Sequence, residues 1–247
     1  MTSSAGLPEA VERAITSFVA ASKEAFGADL VSIVLFGSGA EQNLRATSDV
    51  NILLVLKRFD QAEADRLREP LRFAHAAVEL NAMFMLEAEV PAAMEAFAVK
   101  FSDILHRHRV LHGNDPFASV TVPDAALLRR LKQVLLNQQI RLRERYILLS
   151  LREEQLGRVI ADAAPPLRAS AASLLQLEGN PAPSPKKALE RVVASLNDPG
   201  FTEVLSAMTK VRGGERLEAG QMPAVMMNLM RLTERLRERA ASLGSTD

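Results

Sequence analysis

The sequence predicts an α/β domain with a small mixed β-sheet over residues 1–116, followed by an all-α helical bundle over residues 117–247. In the first part, short apolar runs of strand length alternate with amphipathic stretches, which is typical of mixed α/β units. After "GNDPF" (113–117) the apolar residues recur at helical spacing over long stretches. An apolar content of 48% is sufficient for a sizeable core.

The chain begins with a predicted helix and two predicted strands. Val11, Ile15 and Phe18 lie at helical spacing, which predicts an amphipathic helix over residues 8–26. The β-branched run "LVSIVLF" predicts a strand, and Gly37-Ser38-Gly39 end it because glycine and serine favour turns. After a polar turn, "NILLVL" predicts a second, buried strand.

A second helix and a third strand complete the α/β part. Asp60 is a good N-cap for a helix over residues 60–76, and Pro70 is expected to kink or split that helix. The run "VELNAMFML" predicts a third strand. "EVPAAMEAFAVKF" then predicts a short helix that leads into an edge segment of the sheet.

The helical part contains four or five predicted helices. The first covers residues 124–150, and "AAPPLRA" is expected to end it and to begin another, with Pro166 near the first turn. Residues 178–188 combine Gly, Asn and three prolines, which predicts a linker. In the last helix, methionines from Met222 onward lie at i, i+3, i+4 spacing, which fits a core face or a homodimer face.

Composition and charge exclude several classes of protein. The chain has no cysteine, which excludes disulfides, thiolate nucleophiles and Cys-ligated metals. No apolar run reaches the ~20 residues needed to span a bilayer, and no secretory signal pattern is present, so we expect a cytoplasmic protein. Residues 1–116 carry 11 Lys and Arg against 16 Asp and Glu, and the remainder carries 19 against 14. This asymmetry predicts two surfaces of opposite sign, and nucleic acid is a poor candidate partner because no aromatics accompany the basic residues.

A Gly-Ser turn and a strand that opens with Asp49-Val50-Asn51 form the main functional motif. A Gly-Ser turn at the end of a strand presents backbone N–H groups and a hydroxyl, which suit phosphate oxygens. Asp49 and Asn51 are two residues apart on a strand, so their side chains share one face. Two carboxylates in such positions would hold two Mg²⁺ ions for a phosphoryl or nucleotidyl displacement.

Gly37-Ser38, ten intervening residues and Asp49-Val50-Asn51-Ile52 resemble the signature of the nucleotidyltransferase superfamily, which includes DNA polymerase beta and the aminoglycoside nucleotidyltransferases. The resemblance implies a small mixed sheet, often followed by a helical domain. It also implies Mg²⁺-dependent transfer of a nucleoside monophosphate from ATP or another nucleoside triphosphate to a hydroxyl. By the same resemblance, Gly37 and Ser38 would hold the triphosphate and Asp49 would bind the metal that travels with it.

Asn51 departs from the superfamily pattern, which has a second aspartate at this position that bridges both metals. An amide oxygen can coordinate Mg²⁺ but is neutral, and binding of a hard dication depends on the charge of its ligands. Asp49 with nucleotide phosphates would still bind one Mg²⁺. A structural hydrogen bond is the alternative role for Asn51.

The third acidic residue has two candidates, Glu79 and Asp103. In many bacterial relatives a later strand reads Phe-Pro-x-Glu-Phe-x-Asp, and the similar segment here is "FAVKFSD", residues 97–103. In this alignment Lys100 replaces the acidic residue and Asp103 remains. A lysine there repels cations and attracts phosphate, and its alternative role is a solvated surface residue.

A histidine-rich segment and a basic helix carry further alternatives. In "ILHRHRVLHG", His108 and His112 would share a helix face as zinc ligands, and Arg107 to His112 have the Arg-x4-His spacing of HEPN-type ribonucleases. A domain connector is the third interpretation. The basic stretch from Arg129 to Arg145 fits a solvated helix face or a set of contacts to a triphosphate or acidic substrate.

The sequence leaves two functions open. The first is a Mg²⁺-dependent nucleotidyltransferase that acts on a hydroxyl of an unidentified small-molecule or protein acceptor, with Glu79 or Asp103 as base. The second is a pseudoenzyme that kept the fold and binds a nucleotide or a partner without transfer. Asn51 favours a weakened or degenerate metal site in either case.

Overall fold

The computed structural model describes residues 7–41, 49–215, 217–218 and 220–244. The described residues divide into two compact units. The first contains the residues up to Glu95 together with Ile104–Thr121, and the second contains Ala96–Asp103 and the residues from Val122 onward. The domain boundary between residues 116 and 117 remains a prediction.

The first unit contains a four-stranded mixed sheet in the order β3-β2-β1-β4. The strands are β1 (Leu30–Phe36), β2 (Val50–Leu56), β3 (Leu80–Leu86) and β4 (His108–Gly113). β1 runs antiparallel to both β2 and β4, whereas β2 and β3 are parallel. The small mixed sheet confirms the predicted fold class of the first part.

Helices α1 (Glu9–Phe26) and α2 (Gln61–Val78) pack with the sheet to form the core of the first unit. The core contains alternate residues of the two central strands, among them Ile33, Leu35, Ile52 and Leu54, and from the helices Phe18, Phe26 and Leu67. This alternation follows from the two-residue period of a strand. The shorter helices α3 (Val90–Ala96) and α4 (Ala98–His106) follow β3 in the chain.

Helix α2 begins as predicted and does not break at its proline. The Asp60 carboxylate accepts hydrogen bonds from the N–H groups of Ala62 (2.9 Å) and Glu63 (3.4 Å), as an N-cap does. Pro70 lies inside a continuous helix, so the predicted split is wrong. Burial of Leu67 and Ala74, on either side of the proline, stabilises the helix despite the missing hydrogen bond.

The second unit has α5 (Asp124–Leu149), α6 (Glu153–Leu177), α7 (Pro185–Leu196), α8 (Pro199–Arg212) and α9 (Gln221–Ser242). Its core includes Leu127, Leu135, Leu167, Leu229 and Leu232, all fully buried. This second part is helical, as predicted, and the predicted linker begins between α6 and α7. Met222 and Met226 are buried in the core of the single chain, so the core interpretation of the methionine pattern is confirmed and the homodimer remains a prediction.

The first two long helices do not meet at "AAPPLRA". Helix α5 ends at Leu149, and α6 runs from Glu153 through both Pro165 and Pro166. A proline lacks the N–H that would bond to the carbonyl four residues earlier. For Pro165 that carbonyl belongs to Ala161, and the Arg212 guanidinium donates a hydrogen bond to it at 3.3 Å. The predicted break was wrong because a side chain from another helix satisfies the freed carbonyl.

Two sequence expectations in residues 97–112 are also wrong. The segment 97–103, predicted as an edge strand, lies mostly in α4, and the buried Ala98, Phe101 and Ser102 have i, i+3, i+4 spacing. His108 and His112, predicted to share a helix face, lie in β4, which pairs with β1. At the end of β4, Gly113 has φ +76°, and a Cβ there would lie 2.0 Å from the Val31 carbonyl oxygen. Only glycine fits this close approach of two strands.

Among the helices of the described chain, none combines the length and apolar character that crossing a bilayer requires.

Candidate functional site

The pairing of β1 with β2 brings the two parts of the Gly-Ser and Asp-x-Asn motif together. Phe36, the last residue of β1, pairs with Asn51, the second residue of β2. The turn at Gly37–Gly39 therefore follows β1 at the sheet edge where β2 begins, next to Asp49. Residues 42–48 of the connecting loop lie outside the described residues. Because β1 and β2 are antiparallel, the end of β1 and the start of β2 lie close together in the sheet although a loop separates them in the sequence.

The Gly37–Gly39 turn has a left-handed first residue. Gly37 has φ +75°, a conformation that glycine adopts without strain. Its N–H donates to the Arg107 carbonyl oxygen at 2.9 Å, and its carbonyl accepts from the N–H of Ala40 at 3.1 Å. Gly37 therefore shapes the turn, and its own N–H is already used. The half-buried Ser38 makes no side-chain hydrogen bond to another described residue, so its hydroxyl is the better candidate for a phosphate contact.

Arg107 holds the turn through two groups. Besides accepting the Gly37 N–H, it forms an ion pair with Glu41, Nη1 to Oε2 at 3.0 Å, with both side chains largely buried. A partly buried ion pair of this kind fixes geometry more effectively than an exposed pair. The sequence placed Arg107 in a ribonuclease-like pattern, whereas in the structure it supports the turn that follows β1.

Asp49 and Asn51 lie on either side of Val50, the first residue of β2. Asp49 is exposed and Asn51 is partly exposed, whereas Val50 between them is fully buried. The Asn51 Nδ2 donates to the Asp49 carbonyl oxygen at 3.4 Å. Because a carbonyl only accepts, this contact directs the amide nitrogen inward and leaves the Oδ1 of Asn51 as an acceptor. Asn51 therefore has a local structural bond and still presents an oxygen.

The next strand repeats this arrangement with Glu79, Leu80 and Asn81. In the parallel pairing of β2 and β3, Val50 pairs with Leu80 and Asn51 pairs with Asn81. The Asn81 Nδ2 donates to the Glu79 carbonyl oxygen at 3.3 Å, as Asn51 does to Asp49. Paired residues of neighbouring strands point to the same face, about 4.8 Å apart.

Asn81 is therefore a site candidate that the sequence interpretation missed. The repeated pattern of an acidic residue, an aliphatic residue and asparagine was its signal. Glu79 has the left-handed φ of +51° where α2 ends, so strand alternation does not set the direction of its side chain. We call the Gly37–Gly39 turn with Asp49, Asn51, Glu79 and Asn81 the strand-edge site.

The other two predicted residues, Lys100 and Asp103, lie on α4 in residues that belong to the second unit. The strand alignment that selected them is wrong, because the segment is helical. Partial burial lowers the pKa of the Lys100 ammonium from its ordinary value of 10.5. Their part in phosphate binding or catalysis remains a prediction, and Glu79 is the acidic candidate that shares a sheet edge with Asp49.

The donor groups of the strand-edge site suit one hard divalent cation. Carboxylate and amide oxygens are the ligands that Mg²⁺ prefers, and nucleotide phosphates commonly complete its octahedron. Throughout the described ranges, no three acidic or histidine side chains converge as a metal site. Asp49 is the carboxylate of this set that lies next to the Gly37–Gly39 turn, and Asn51 adds a neutral amide oxygen.

The histidine segment is accounted for by structural contacts. His108 Nδ1 lies 3.0 Å from the Ile104 carbonyl oxygen, and its Nε2 lies 3.3 Å from Oδ2 of Asp115. Its ring packs edge-on against Phe117, with centroids 5.4 Å apart. These contacts use both ring nitrogens, so His108 is not positioned as a zinc ligand, and this segment connects the sheet to the following loop.

The small mixed sheet followed by a helical part is consistent with the nucleotidyltransferase-like fold that the sequence resemblance predicts. A solved structure has the same fold. The crystal structure of spectinomycin adenyltransferase AAD(9) from Enterococcus faecialis with ATP and spectinomycin matches with a TM-score of 0.62. The match covers 93% of this chain and 99% of that chain at 14% sequence identity. Neither a protein-family model nor a curated protein sequence matches the chain.

Proposed function

We propose that the protein transfers a nucleoside monophosphate from a nucleoside triphosphate, such as ATP, to a hydroxyl group of a small molecule. The observation that carries this proposal is the pairing of Phe36 with Asn51, which brings the Gly-Ser turn beside Asp49. A phosphate-binding turn and a metal-binding carboxylate at one sheet edge are the minimum that such a transfer requires. The nucleotidyltransferase fold supports the same class of reaction.

The reaction assigns distinct roles to the residues of the strand-edge site. The acceptor oxygen attacks the α-phosphorus, a new P–O bond forms, the bond between the α-phosphorus and its bridging oxygen to the β-phosphate breaks, and pyrophosphate leaves. Ser38 would donate its hydroxyl to a phosphate oxygen. The exposed carboxylate of Glu79 would accept the proton from the acceptor hydroxyl.

A divalent cation would be held by Asp49 with the amide oxygen of Asn51, and the amide oxygen of Asn81 lies on the same face for a further contact. When bound, the ion neutralises charge on the triphosphate. Replacing a carboxylate by an amide at residue 51 removes one negative charge beside it. We therefore propose a single-ion site that binds its cation more weakly than a two-carboxylate site does.

The acceptor is proposed to be a small molecule rather than a protein. The solved neighbour contains ATP and spectinomycin, a small compound, and is named an adenyltransferase. A small hydroxylated acceptor is consistent with that likeness. Spectinomycin is accordingly the first acceptor to test, followed by small molecules that carry hydroxyl groups.

A second candidate function is nucleotide binding without transfer. Asn51 favours it, because the ligand that would bridge two ions in a two-carboxylate site is neutral here. In that case the strand-edge site would bind a triphosphate, and no nucleoside monophosphate would reach an acceptor.

The deciding experiment incubates the full chain with α-labelled nucleoside triphosphates and Mg²⁺ or Mn²⁺, with and without spectinomycin or a small-molecule extract. We expect a labelled acceptor product that is lost in Asp49→Ala. Asp65→Ala is the matched control, because Asp65 is an exposed carboxylate on α2 that pairs only with Arg68 among the described contacts. Failure to form product, combined with calorimetric binding of ATP, would instead establish the second function. Failure of both would exclude a nucleotide site at this sheet edge.

Asn51→Asp tests the metal assignment directly. An added carboxylate beside Asp49 should tighten Mg²⁺-dependent ATP binding by at least about tenfold, because a unit charge near a dication is worth more than the ~1.4 kcal/mol that a tenfold change requires, even at a moderate effective dielectric constant. Isothermal titration with ATP at graded Mg²⁺ concentrations measures this change. Unchanged Mg²⁺ dependence in Asn51→Asp would contradict a metal contact at this position.

A further inference from the structure

A groove of about 510 Å³ lies between α5 and α6 in the second unit. Its α5 wall includes Gln138, Arg141 and Arg145, and its α6 wall includes Arg158 and Asp162. We call this the α5–α6 groove. Cavities of this size are typical of small-ligand sites. The groove belongs to one unit only and shares no residue with the strand-edge site.

Three arginines give the α5–α6 groove a positive charge. Arg141 and Arg145 are four residues apart on α5, so they lie on one helix face, and Arg158 lies opposite them on α6. Within the described chain, none of the three forms an ion pair. Asp162 is the acidic residue of the lining, which leaves two net positive charges. Like charges at i, i+4 spacing destabilise a helix, so an anion between them would relieve a repulsion.

A buried polar group lies in the same lining. Gln138 is only 8% exposed, and its Nε2 donates to the Ala163 carbonyl oxygen at 3.3 Å. Its Oε1 is buried and has no hydrogen-bond partner. Buried acceptors without a donor are rare in folded proteins. Because this oxygen is closed to solvent, a ligand hydroxyl would satisfy it once the Gln138 side chain turned toward the groove.

We propose that the α5–α6 groove binds a small ligand that carries both a phosphate group and hydroxyl groups. The planar guanidinium groups of Arg141, Arg145 and Arg158 match phosphate oxygens in charge and geometry. A hydroxyl group would donate to Gln138 Oε1 after the Gln138 side chain turned toward the groove. Leu142 is a buried apolar residue of the groove lining, and it would contact the carbon skeleton of the ligand.

A small ligand fits the α5–α6 groove better than a nucleic acid does. Single-stranded nucleic acid is bound by stacking its bases on aromatic side chains, and the groove lining has none. The alternative without a ligand is a solvated basic helix face, whose arginines are interchangeable. The two alternatives differ in one measurable respect, which is whether the position of an arginine on α5 matters.

The experiment titrates the full chain with ribose 5-phosphate in the presence of EDTA and follows heat by calorimetry. Arg145→Gln and Arg141→Gln are compared with Arg143→Gln, which removes the same charge from the same helix outside the groove. We expect binding by the unchanged chain and by Arg143→Gln. We expect the double variant Arg141→Gln, Arg145→Gln to bind about tenfold or more weakly.

Two further titrations locate the phosphate and the hydroxyl contacts. Ribose without phosphate should not bind, and inorganic phosphate should bind more weakly than ribose 5-phosphate. Gln138→Met should lower the affinity for ribose 5-phosphate and leave that for inorganic phosphate unchanged. Circular dichroism and thermal melting of each variant separate loss of the ligand contact from loss of the fold.

Three results would overturn the proposal. The first is absence of binding by the unchanged chain at millimolar ribose 5-phosphate. The second is equal weakening by Arg143→Gln and Arg145→Gln, which would indicate general charge attraction. The third is loss of binding in Ser38→Ala but not in Arg145→Gln, which would assign the phosphate to the strand-edge site. The first two outcomes are independent of nucleotidyl transfer.

Discussion

The two units of the molecule use charged side chains in opposite ways. The strand-edge site presents Asp49 and Glu79 with two asparagine amides, whereas the α5–α6 groove presents Arg141, Arg145 and Arg158. Acidic residues are in excess before residue 117 and basic residues are in excess after it. Each candidate site has the same sign of charge as the part of the chain in which it lies. An acidic edge suits a cation with its nucleotide, and a basic groove suits an anion.

The two sites also differ in how the chain builds them. The strand-edge site depends on pairing between residues far apart in the sequence, such as Phe36 with Asn51 and Asn51 with Asn81. The α5–α6 groove depends on the spacing of residues along two consecutive helices. Strand register determines the first and helical periodicity the second. Local pattern therefore places Arg141 and Arg145 on one helix face, whereas the packing of α5 against α6 is needed to set Arg158 opposite them.

The largest expected effects are losses of unfolding free energy caused by substitutions in the two separate hydrophobic cores. Leu54→Ala, in the core of the first unit, and Leu167→Ala, in the core of the second, should each cost about 2–5 kcal/mol because both side chains are fully buried. Hydrogen exchange should show lost protection mainly in the unit that carries the substitution. Equal loss in both units for both variants would mean that the two cores unfold as one.

Asp49→Asn should separate the two sites by their dependence on cations. We expect Mg²⁺-dependent ATP binding to weaken about 100-fold, because loss of a direct metal ligand exceeds the 10–100-fold typical of indirect ones. Binding of ribose 5-phosphate in EDTA should stay the same. Calorimetry of both ligands on one preparation measures the contrast, and a parallel loss of both affinities would contradict two separate sites.

Arg212→Met tests how the helical unit accommodates its proline pair. The variant leaves the Ala161 carbonyl without the hydrogen bond that compensates for Pro165, which should cost about 1–3 kcal/mol. Chemical denaturation followed by circular dichroism gives the free energy of unfolding. Pro165→Ala in the same background should recover part of the loss, since alanine restores the N–H donor to that carbonyl. No recovery would mean that Arg212 stabilises α6 by another contact.

The smallest expected effect is electrostatic and depends on pH. A hydrogen bond from Lys187 lowers the pKa of Glu190 below its ordinary value of 4.5, with help from Lys186 and Arg168. A depressed pKa adds stability above the unfolded value, and this stability is lost as pH falls through the folded value. Glu190→Gln should therefore be less stable at pH 7 by under about 1 kcal/mol.

That difference should vanish in acid. Melting temperatures of the unchanged chain and of Glu190→Gln, measured between pH 7 and pH 3, give the comparison. A constant difference across this range would mean that the Glu190 charge does not contribute.

Several sequence expectations failed where tertiary contacts override local preference. Proline at 70 and at 165–166 predicted breaks, yet α2 and α6 continue because burial and the Arg212 contact compensate for the missing bonds. The segment 97–103 is rich in residues that favour strands, but its buried positions follow helical spacing. Secondary-structure propensity reflects only a few neighbouring residues, and packing against other elements decides whether a helix or a strand forms.

The strand-edge site was predictable only in part. The motif from Gly37 to Asn51 is contiguous enough for sequence to select it, and the antiparallel turn brings its ends together. The pattern of Glu79, Leu80 and Asn81 repeats that of Asp49, Val50 and Asn51 in the sequence, but only the pairing of β2 with β3 shows that the two asparagines are neighbours. The supporting role of Arg107 likewise depends on β4 lying beside β1. A residue that strand pairing brings into a site can be assigned to that site only when the register of the strands is known.

The sequence alone determined the division into a mixed α/β part and a helical part, because apolar periodicity of two or of 3.6 residues is a local property. It also determined the turn and the acidic residue that open the site. Tertiary structure alone decided that β2 and β3 are parallel neighbours, which sets two asparagines beside two acidic residues. Strand partners are chosen by the free energy of the assembled core, and no local pattern encodes that choice.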